Sequence, residues 1–331
     1  MATYIRGLNL YFRAMSIFKH HRGFSTMYQE GNLTLGLYFP IEAYTGAVPV
    51  MDVAQQIRTA RLAESQGFAA LYFRDVLLNV PSFGDVGHIY DAWTFMGYMA
   101  AHTSRIALAT GSIITTLRHP LHVAKSAASI DRLSNQRLVL GLATGDRPEE
   151  FPAFNQDMTN REGLFQEALA VMRQTWRSDF PAISTLRVHM SGADLLPKPL
   201  LGTIPVMVTG NSRQSVKWIA EHGDGWLFYP QNLIQQAATI QKWRSMTEKF
   251  KPFSQSLYVD LSENPDESPS PIHLGFRAGR NFLTRYLTDL KDIGVNHVGL
   301  NLKYSRRPAH EVVQELGEYV VPNFPAHDTA E

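Results

Sequence analysis

Short apolar runs alternate with stretches of helical periodicity along most of the chain. Leu33 to Phe39 (LTLGLYF) is apolar enough for a strand buried on both faces. Val53, Ile57, Ala60 and Ala63 follow at spacings of four and three, as on one face of a helix. The same alternation recurs. Ala69 to Phe73 leads through a long loop to a helix through Trp93 and Met96, and Ile106 to Thr110 leads to a helix carrying Val123, Ala127, Ile130 and Leu133. A fourth strand opens at Leu138, and its helix starts near Arg161, with Leu164, Ala168, Met172 and Trp176 at spacings of four. After a less regular insertion, Asp179 to Leu201, four more strands are expected at Val206–Thr209, Gly225–Tyr229, Leu257–Ser262 and His297–Leu302. Their helices are expected near Val216–His222, Ile234–Phe250, Arg280–Ile293 and His310–Val320.

Apolar strands alternating with amphipathic helices give a parallel sheet covered by helices. Eight such pairs, with no GxGxxG loop after the first strand, favour a closed (β/α)8 TIM barrel over an open doubly wound sheet. The expected organisation is an arm over residues 1–30, one barrel over 31–322 carrying the insertion at 179–201, and a tail over 323–331.

In such barrels the active site is built from loops at the carboxyl ends of the strands. Those ends are rich in small and hydroxyl residues here. Thr110-Gly111-Ser112 follows the third strand, Thr144-Gly145-Asp146 the fourth, and Thr209-Gly210-Asn211-Ser212-Arg213 the fifth, with Ser215 close behind. The last run stands at a helix amino end, where free N–H groups favour a phosphate; Asn211 or Ser212 could equally be the helix cap.

Composition narrows the chemistry. With 31 basic and 30 acidic residues the formal net charge is +1, which gives no electrostatic case for nucleic acid. No apolar run approaches the length of a membrane span. The absence of cysteine excludes disulfides, thiolate metal sites and a cysteine nucleophile, and a cytoplasmic location is the simplest expectation. The first residues carry Arg6, Arg13, Lys19 and Arg22 with no acid before Glu30. That suits a targeting presequence, while their aromatics better suit an arm packed on the barrel or on a partner subunit. There is no phosphate-binding GxxxxGK[ST] loop, no GxSxG elbow and no HExxH helix. His119 and His122 have a metal-compatible spacing, but no third ligand stands near them, so no metal is expected.

The run TGSIITTLRHPLHVAKSAASIDRLSNQRLVLGLATGDRPEEFPAF strongly resembles the bacterial luciferase-like flavin monooxygenase family. The shared frame is His119-Pro120, a helix ending Asp131-Arg132-Leu133-Ser134, then Gln136-Arg137 and a strand closing on Gly141. The later stretch PKPLLGTIPVMVTGNSRQSVKWIAEHGDGWL resembles the family too, and the likeness runs roughly from residue 31 to 322. It implies a monooxygenase taking reduced FMN from a separate flavin reductase, using molecular oxygen on a small substrate, and forming a homodimer. Deazaflavin-dependent hydride transfer is the alternative on the same frame, and a non-catalytic flavin-binding protein a further one.

Carried over by position, the resemblance puts Gly111 and Ser112 at a non-prolyl cis peptide beside the flavin ring. It puts Thr144, Gly145 and Asp146 against the flavin and its phosphate side, and Thr209, Gly210, Asn211, Ser212 and Ser215 on the phosphate loop. Phe39 or Tyr38, with Trp226, Phe228 and Tyr229, would wall a dry pocket; Tyr38 and Phe39 cannot both point inward. Relatives often carry a histidine where this chain reads Phe73-Arg74-Asp75-Val76. Arg74 and Asp75, with His88 in the following loop, are therefore the catalytic candidates, although an Asp beside an Arg is a poor proton donor near neutral pH. Arg147 and Arg277, in the GFRAGR segment (Gly275 to Arg280) expected to be a flexible loop or lid, add positive charge that suits an anionic substrate. The helix through Ile89, Trp93, Met96 and Ala100 is apolar enough for a dimer face or for docking on its own barrel.

Overall fold

The computed structural model describes residues 17–41, 52–83, 89–247 and 249–327. Eight parallel strands close into a barrel: β1 Thr34–Phe39, β2 Ala70–Phe73, β3 Ala107–Thr110, β4 Leu138–Ala143, β5 Val206–Thr209, β6 Gly225–Phe228, β7 Phe253–Leu261 and β8 His297–Asn301. Each pairs with the next in sequence, and β8 returns to β1 with Thr34 opposite His297 and Leu37 opposite Leu300. The helices on the outside are α1 Val53–Ser65, α2 Ala92–His102, α3 Pro120–Leu133, α4 Arg161–Arg177, α5 Val216–His222, α6 Leu233–Arg244, α7 Arg280–Asp292 and α8 Ala309–Tyr319. Their starts are chemically marked. Asp52, Asp91, His119, Ser215 and Asn232 each accept a backbone N–H of the first turn, and Pro120 occupies the position where a missing N–H costs nothing.

Alternation along the strands sorts side chains into two layers. Leu35, Leu37, Phe39, Leu71, Phe73, Leu108, Leu140, Val206, Val208, Trp226, Phe253 and Leu257 point outward into the shell shared with the helices. Tyr38, Ala70, Tyr72, Ala107, Ala109, Val139, Met207 and Leu227 point into the lumen. Small residues on β2 to β4 make room there for a stack in which Tyr38 lies over Tyr72 at 5.0 Å between ring centroids and Tyr72 meets His297 at 5.5 Å.

The amino ends of the strands are closed by a short helix, Arg22–Met27. Phe18, Phe24, Met27 and Tyr28 belong to the lumen cluster, and Tyr28 meets His297 at 6.0 Å. Gly23 comes so close to β4 that a side chain there would lie 2.3 Å from the Arg137 carbonyl oxygen. At the other terminus the His327 N–H donates to the Thr26 carbonyl oxygen at 3.1 Å, and Ala326 packs against the same cluster. The expected arm, barrel and tail therefore share one packed lower end from Ile17 to His327; residues 1–16 and 328–331 lie outside the described residues.

The insertion carries a two-stranded antiparallel hairpin, Ile183–Ser184 with His189–Met190. The GFRAGR segment is not a flexible loop. Gly275–Ala278 is a strand bonded in parallel to Tyr258–Leu261 of β7 and antiparallel to Ser270–Ile272, and the first helical residue of α7 is Arg280. No helix among the described residues is long and apolar enough to cross a membrane.

Candidate functional site

At the carboxyl ends of the strands lies a cavity of about 540 Å³. One half of its wall comes from the ends of β3, β4 and β5 and is made of small residues: Gly111, Ser112, Ala143, Thr144, Gly145, Thr209, Gly210 and Ser212. The peptide between Gly111 and Ser112 is cis. A side chain at Gly111 would come within 2.9 Å of the Tyr38 hydroxyl, and one at Gly145, where φ is +78°, within 2.9 Å of Ile114 Cγ2. These positions have room for backbone only, which leaves a flat wall. Ser112 Oγ and Thr209 Oγ1 share a short hydrogen bond across it, and Thr116 Oγ1 donates to the Thr144 carbonyl oxygen at 2.7 Å, fixing the β4 end.

The turn after β5 is shaped for close backbone approach. Gly210, Ser212 and Arg213 all have positive φ, and Ser212 Oγ donates to the Thr209 carbonyl oxygen at 2.7 Å. Behind it Gln214 is buried, donating to the carbonyls of Ser212 and Glu162 and accepting from Gln166 Nε2. Consecutive turn residues of this kind form concavities that suit anions. Ser215 is outside the lining; its hydroxyl accepts the Trp218 N–H at 3.1 Å and caps α5. Trp226 also points away from the cavity, into the helix-facing shell, and its indole N–H holds the turn by donating to the Gly210 carbonyl oxygen at 2.7 Å. Phe39 is likewise outward, and its neighbour Tyr38 faces the cavity instead. Phe228 and Arg147 line the cavity.

The other half of the wall is bulky and polar: Tyr38, Arg74, Asn301, Lys303 and Tyr258, with Tyr229, Tyr304 and His273 toward the rim. Burial pushes the phenols of Tyr38 and Tyr229 upward, so both stay protonated hydrogen-bond donors. Tyr258, Asn301, Lys303 and His273 escaped the sequence reading. Only strand alternation projected past the apolar runs of β7 and β8 would have found Asn301 and Lys303. His273 sits at the tip of the hairpin that stands where a loop is expected from the sequence.

Asp75 lines the cavity but is a clamp. Its oxygens accept Arg118 Nε at 2.9 Å and Nη2 at 2.6 Å and the Ile114 N–H at 3.0 Å, so it pairs with Arg118 and holds β2 to the segment after β3. Arg277 is not in the lining either; it bonds Asp260 at 3.0 Å and Glu267 at 2.8 Å. Those acids draw it sideways along the hairpin. His88 lies outside the described residues. Beside Arg147, Glu150 is fully buried, and desolvation raises its pKa; one oxygen accepts the Leu78 N–H at 3.2 Å and lies 3.9 Å from Arg147.

His119 donates no obvious metal site. Its Nδ1 caps α3 and its Nε2 meets the Arg187 carbonyl oxygen at 3.1 Å.

The family model for luciferase-like monooxygenases matches residues 32–267. The chain belongs to the luciferase-like monooxygenase family. Among its luciferase-like relatives, the F420-dependent hydroxymycolic acid dehydrogenase of Mycobacterium tuberculosis is 29% identical over 195 residues, covering 56% of this chain and 53% of that protein. The alkanal monooxygenase beta chain of Photorhabdus luminescens is 24% identical over 176 residues, covering 53% and 54%. The chain thus spans about half the length of each. In three dimensions the monooxygenase RslO1 from Streptomyces bottropensis matches with a TM-score of 0.74 at 17% identity, covering 88% of this chain and 99% of that one. The family therefore includes both oxygen-using and deazaflavin-using oxidoreductases, and this luciferase-like barrel is an oxidoreductase fold with a flavin-type site.

Proposed function

We propose that this luciferase-like protein is a two-component monooxygenase that receives reduced FMN from a separate reductase and uses molecular oxygen to oxidise a small organic substrate. Bound reduced FMN would supply the electrons for oxygen activation. The chain's own residues divide the remaining tasks. Gly111, Ser112, Thr144 and Gly145 face the ring; Thr209, Gly210, Asn211 and Ser212 hold the phosphate; Asp146, whose charge opposes that of Arg161, lies on the same side. Tyr38, Phe228, Tyr229 and Tyr258 keep water from the reacting face.

The observation that carries this reading is the shaped turn after β5. Thr209, Gly210, Asn211 and Ser212 line the cavity, Gly210 and Ser212 have positive φ, and Gln214 braces the turn, which suits a phosphate group. The rival, deazaflavin-dependent hydride transfer, is favoured by the dehydrogenase relative named above. An anaerobic titration with reduced FMN, oxidised FMN and reduced deazaflavin separates them. Micromolar binding of reduced FMN, tighter than the other two, followed by substrate-dependent oxygen consumption, is expected. Preference for the deazaflavin would replace the assignment, binding without any turnover would leave a flavin-binding protein, and binding of none would refute the phosphate turn.

The same reading makes the protein a cytoplasmic homodimer. On α2, Met96 and Ala100 are spent on the protein's own core, while Tyr98 on α2 and Leu133 on the neighbouring α3 stay exposed and offer a face. Light scattering that returned a strict monomer would end that part of the proposal.

A further inference from the structure

Two buried side chains bring to the cavity hydrogen-bond donors that the fold itself does not use. Tyr38 is the last lumen-facing residue of β1, and Asn301 closes β8 beside it. Leu37 stands opposite Leu300, and Tyr38 and Asn301 are the next residues along the two strands. Both line the cavity, with only 8% and 7% of their surface exposed. Asn301 Oδ1 accepts the Lys303 N–H at 3.0 Å, which leaves the NH2 end of the amide for the cavity. Neither that NH2 group nor the Tyr38 hydroxyl meets a hydrogen-bond partner among the described residues. Other polar groups of the wall are committed: Ser112 Oγ and Thr209 Oγ1 bond each other, and Asp75 holds Arg118. The Tyr38 ring cannot turn aside. It stacks on Tyr72 at 5.0 Å and 24°, while side chains on Gly111 and Gly299 would come within 2.9 Å of its Oη and 2.8 Å of its Cε2. Burial raises the phenol's pKa, so the hydroxyl keeps its proton.

We propose that the Tyr38 hydroxyl and the Asn301 amide together hold one uncharged oxygen acceptor of the substrate, beside the flat wall at Gly111. This inference names a specificity determinant of the flavin site above and rests on that reading. Neighbouring strands lie ~4.8 Å apart, so two donors side by side on β1 and β8 can reach the same atom. Two neutral donors match the two lone pairs of a carbonyl-type oxygen. A substrate with hydrocarbon at that place leaves both donors buried and unpaired, which costs affinity. Donors fixed in advance also hold such an oxygen more tightly as negative charge grows on it.

The test uses acetophenone and its hydrocarbon isostere α-methylstyrene as probes, titrated into the full-length protein saturated with oxidised FMN. Binding is read from the perturbed absorbance of bound FMN. Acetophenone is expected to bind about tenfold more tightly than α-methylstyrene. Tyr38→Phe, which keeps the ring and removes only the hydroxyl, and Asn301→Leu should each weaken acetophenone by about three- to tenfold. Binding of α-methylstyrene and the melting temperature should stay near wild type, and in the double variant the two probes should bind alike. Equal affinities of the two probes in the wild type, or acetophenone binding both variants as it binds wild type, would overturn the proposal. So would a fall in FMN affinity in the variants with the preference for acetophenone intact, since the donors would then serve the cofactor. Should FMN itself not bind, the flavin reading falls. Calorimetry of acetophenone on the cofactor-free protein then still decides the donor pair by whether the two variants lose the heat, and no heat in the wild type overturns it.

Discussion

Single residues fix what this site can accept, and two of them make the case by what they exclude. Gly111 has no room for a methyl group, since a Cβ would crowd Tyr38 Oη at 2.9 Å, Tyr38 Cε1 at 3.0 Å and Tyr72 Cδ1 at 3.1 Å. Gly111→Ala must displace the Tyr38 ring, which lines the cavity. The expected result is a loss of FMN affinity of about tenfold or more with little change in fold, checked by fluorescence titration and circular dichroism. Unchanged affinity would remove Gly111 from the ring-facing wall. Asp75 excludes a different role. With three donors on a carboxylate that is almost fully buried, its removal strands the Ile114 N–H and half of the Arg118 fork. Asp75→Ala is expected to cost about 2–3 kcal/mol in denaturant unfolding, and Asp75→Asn less because one acceptor remains. A cost under about 1 kcal/mol, combined with a large change in the pH profile of turnover, would return Asp75 to the proton-carrying role the sequence suggested.

At the scale of elements, the strand–helix rhythm was legible because strands buried on both faces are apolar at every position, and the bounds of β5 match the apolar run VMVT. The same rule failed on β7. Ser254 and Ser256 face the lumen and hide its first residues, so the strand begins at Phe253 and not at Leu257. Phase was the other weakness. A run such as Leu-Tyr-Phe does not say which of Tyr38 and Phe39 looks inward; the lumen settles it, since Gly299 and the alanines of β2 and β3 leave space for tyrosines there. The turn after β5, Gly111-Ser112 and Thr144-Gly145 were legible as hydroxyl and glycine clusters at strand ends, where a core strand has no use for them. Arg118 as the partner of Asp75 was not, because the two are 43 positions apart and meet only in the folded barrel. The amino-terminal aromatics suggested an arm packed on the barrel or on a partner subunit, but not that it closes the barrel floor. Phe24 is 3% exposed there, 5.5 Å from Phe18 and 5.0 Å from Tyr28 between centroids. Phe24→Ala is therefore expected to destabilise by about 3–5 kcal/mol while leaving FMN affinity intact, because the floor and the mouth lie at opposite ends of the strands. Equal losses of stability and affinity would mean the floor is coupled to the site.

For the molecule as a whole, the floor sets how folding responds to acid, and His297 is where that response concentrates. Thr34 Oγ1 gives its hydrogen to the Met27 carbonyl oxygen at 2.7 Å, so it must accept from His297 Nδ1, 2.6 Å away. The imidazole is then neutral with its proton on Nδ1, and its buried Nε2 has no hydrogen-bond partner among the described residues. Burial, helped by the neighbouring His327, pushes the pKa of His297 down from 6.5 to about 3. A proton added between those values goes to the unfolded chain and not to the folded one. Stability from this residue is therefore fully present above about pH 6.5 and declines by up to about 1.4 kcal/mol per pH unit as the pH falls toward the folded value. Because His297 on β8, Thr34 on β1, Met27 at the end of the floor helix and His327 near the carboxyl end meet in one place, protonation there opposes the packing of both end segments at once. Urea midpoints measured from pH 7.5 to 4.5 are expected to drop steeply in the wild type and less steeply in His297→Asn. The comparison is between slopes, so the packing cost of the smaller side chain at neutral pH cancels. Parallel slopes would show that the acid response lies in the surface carboxylates, and that the imidazole in the barrel floor takes up its proton no more reluctantly than one in water.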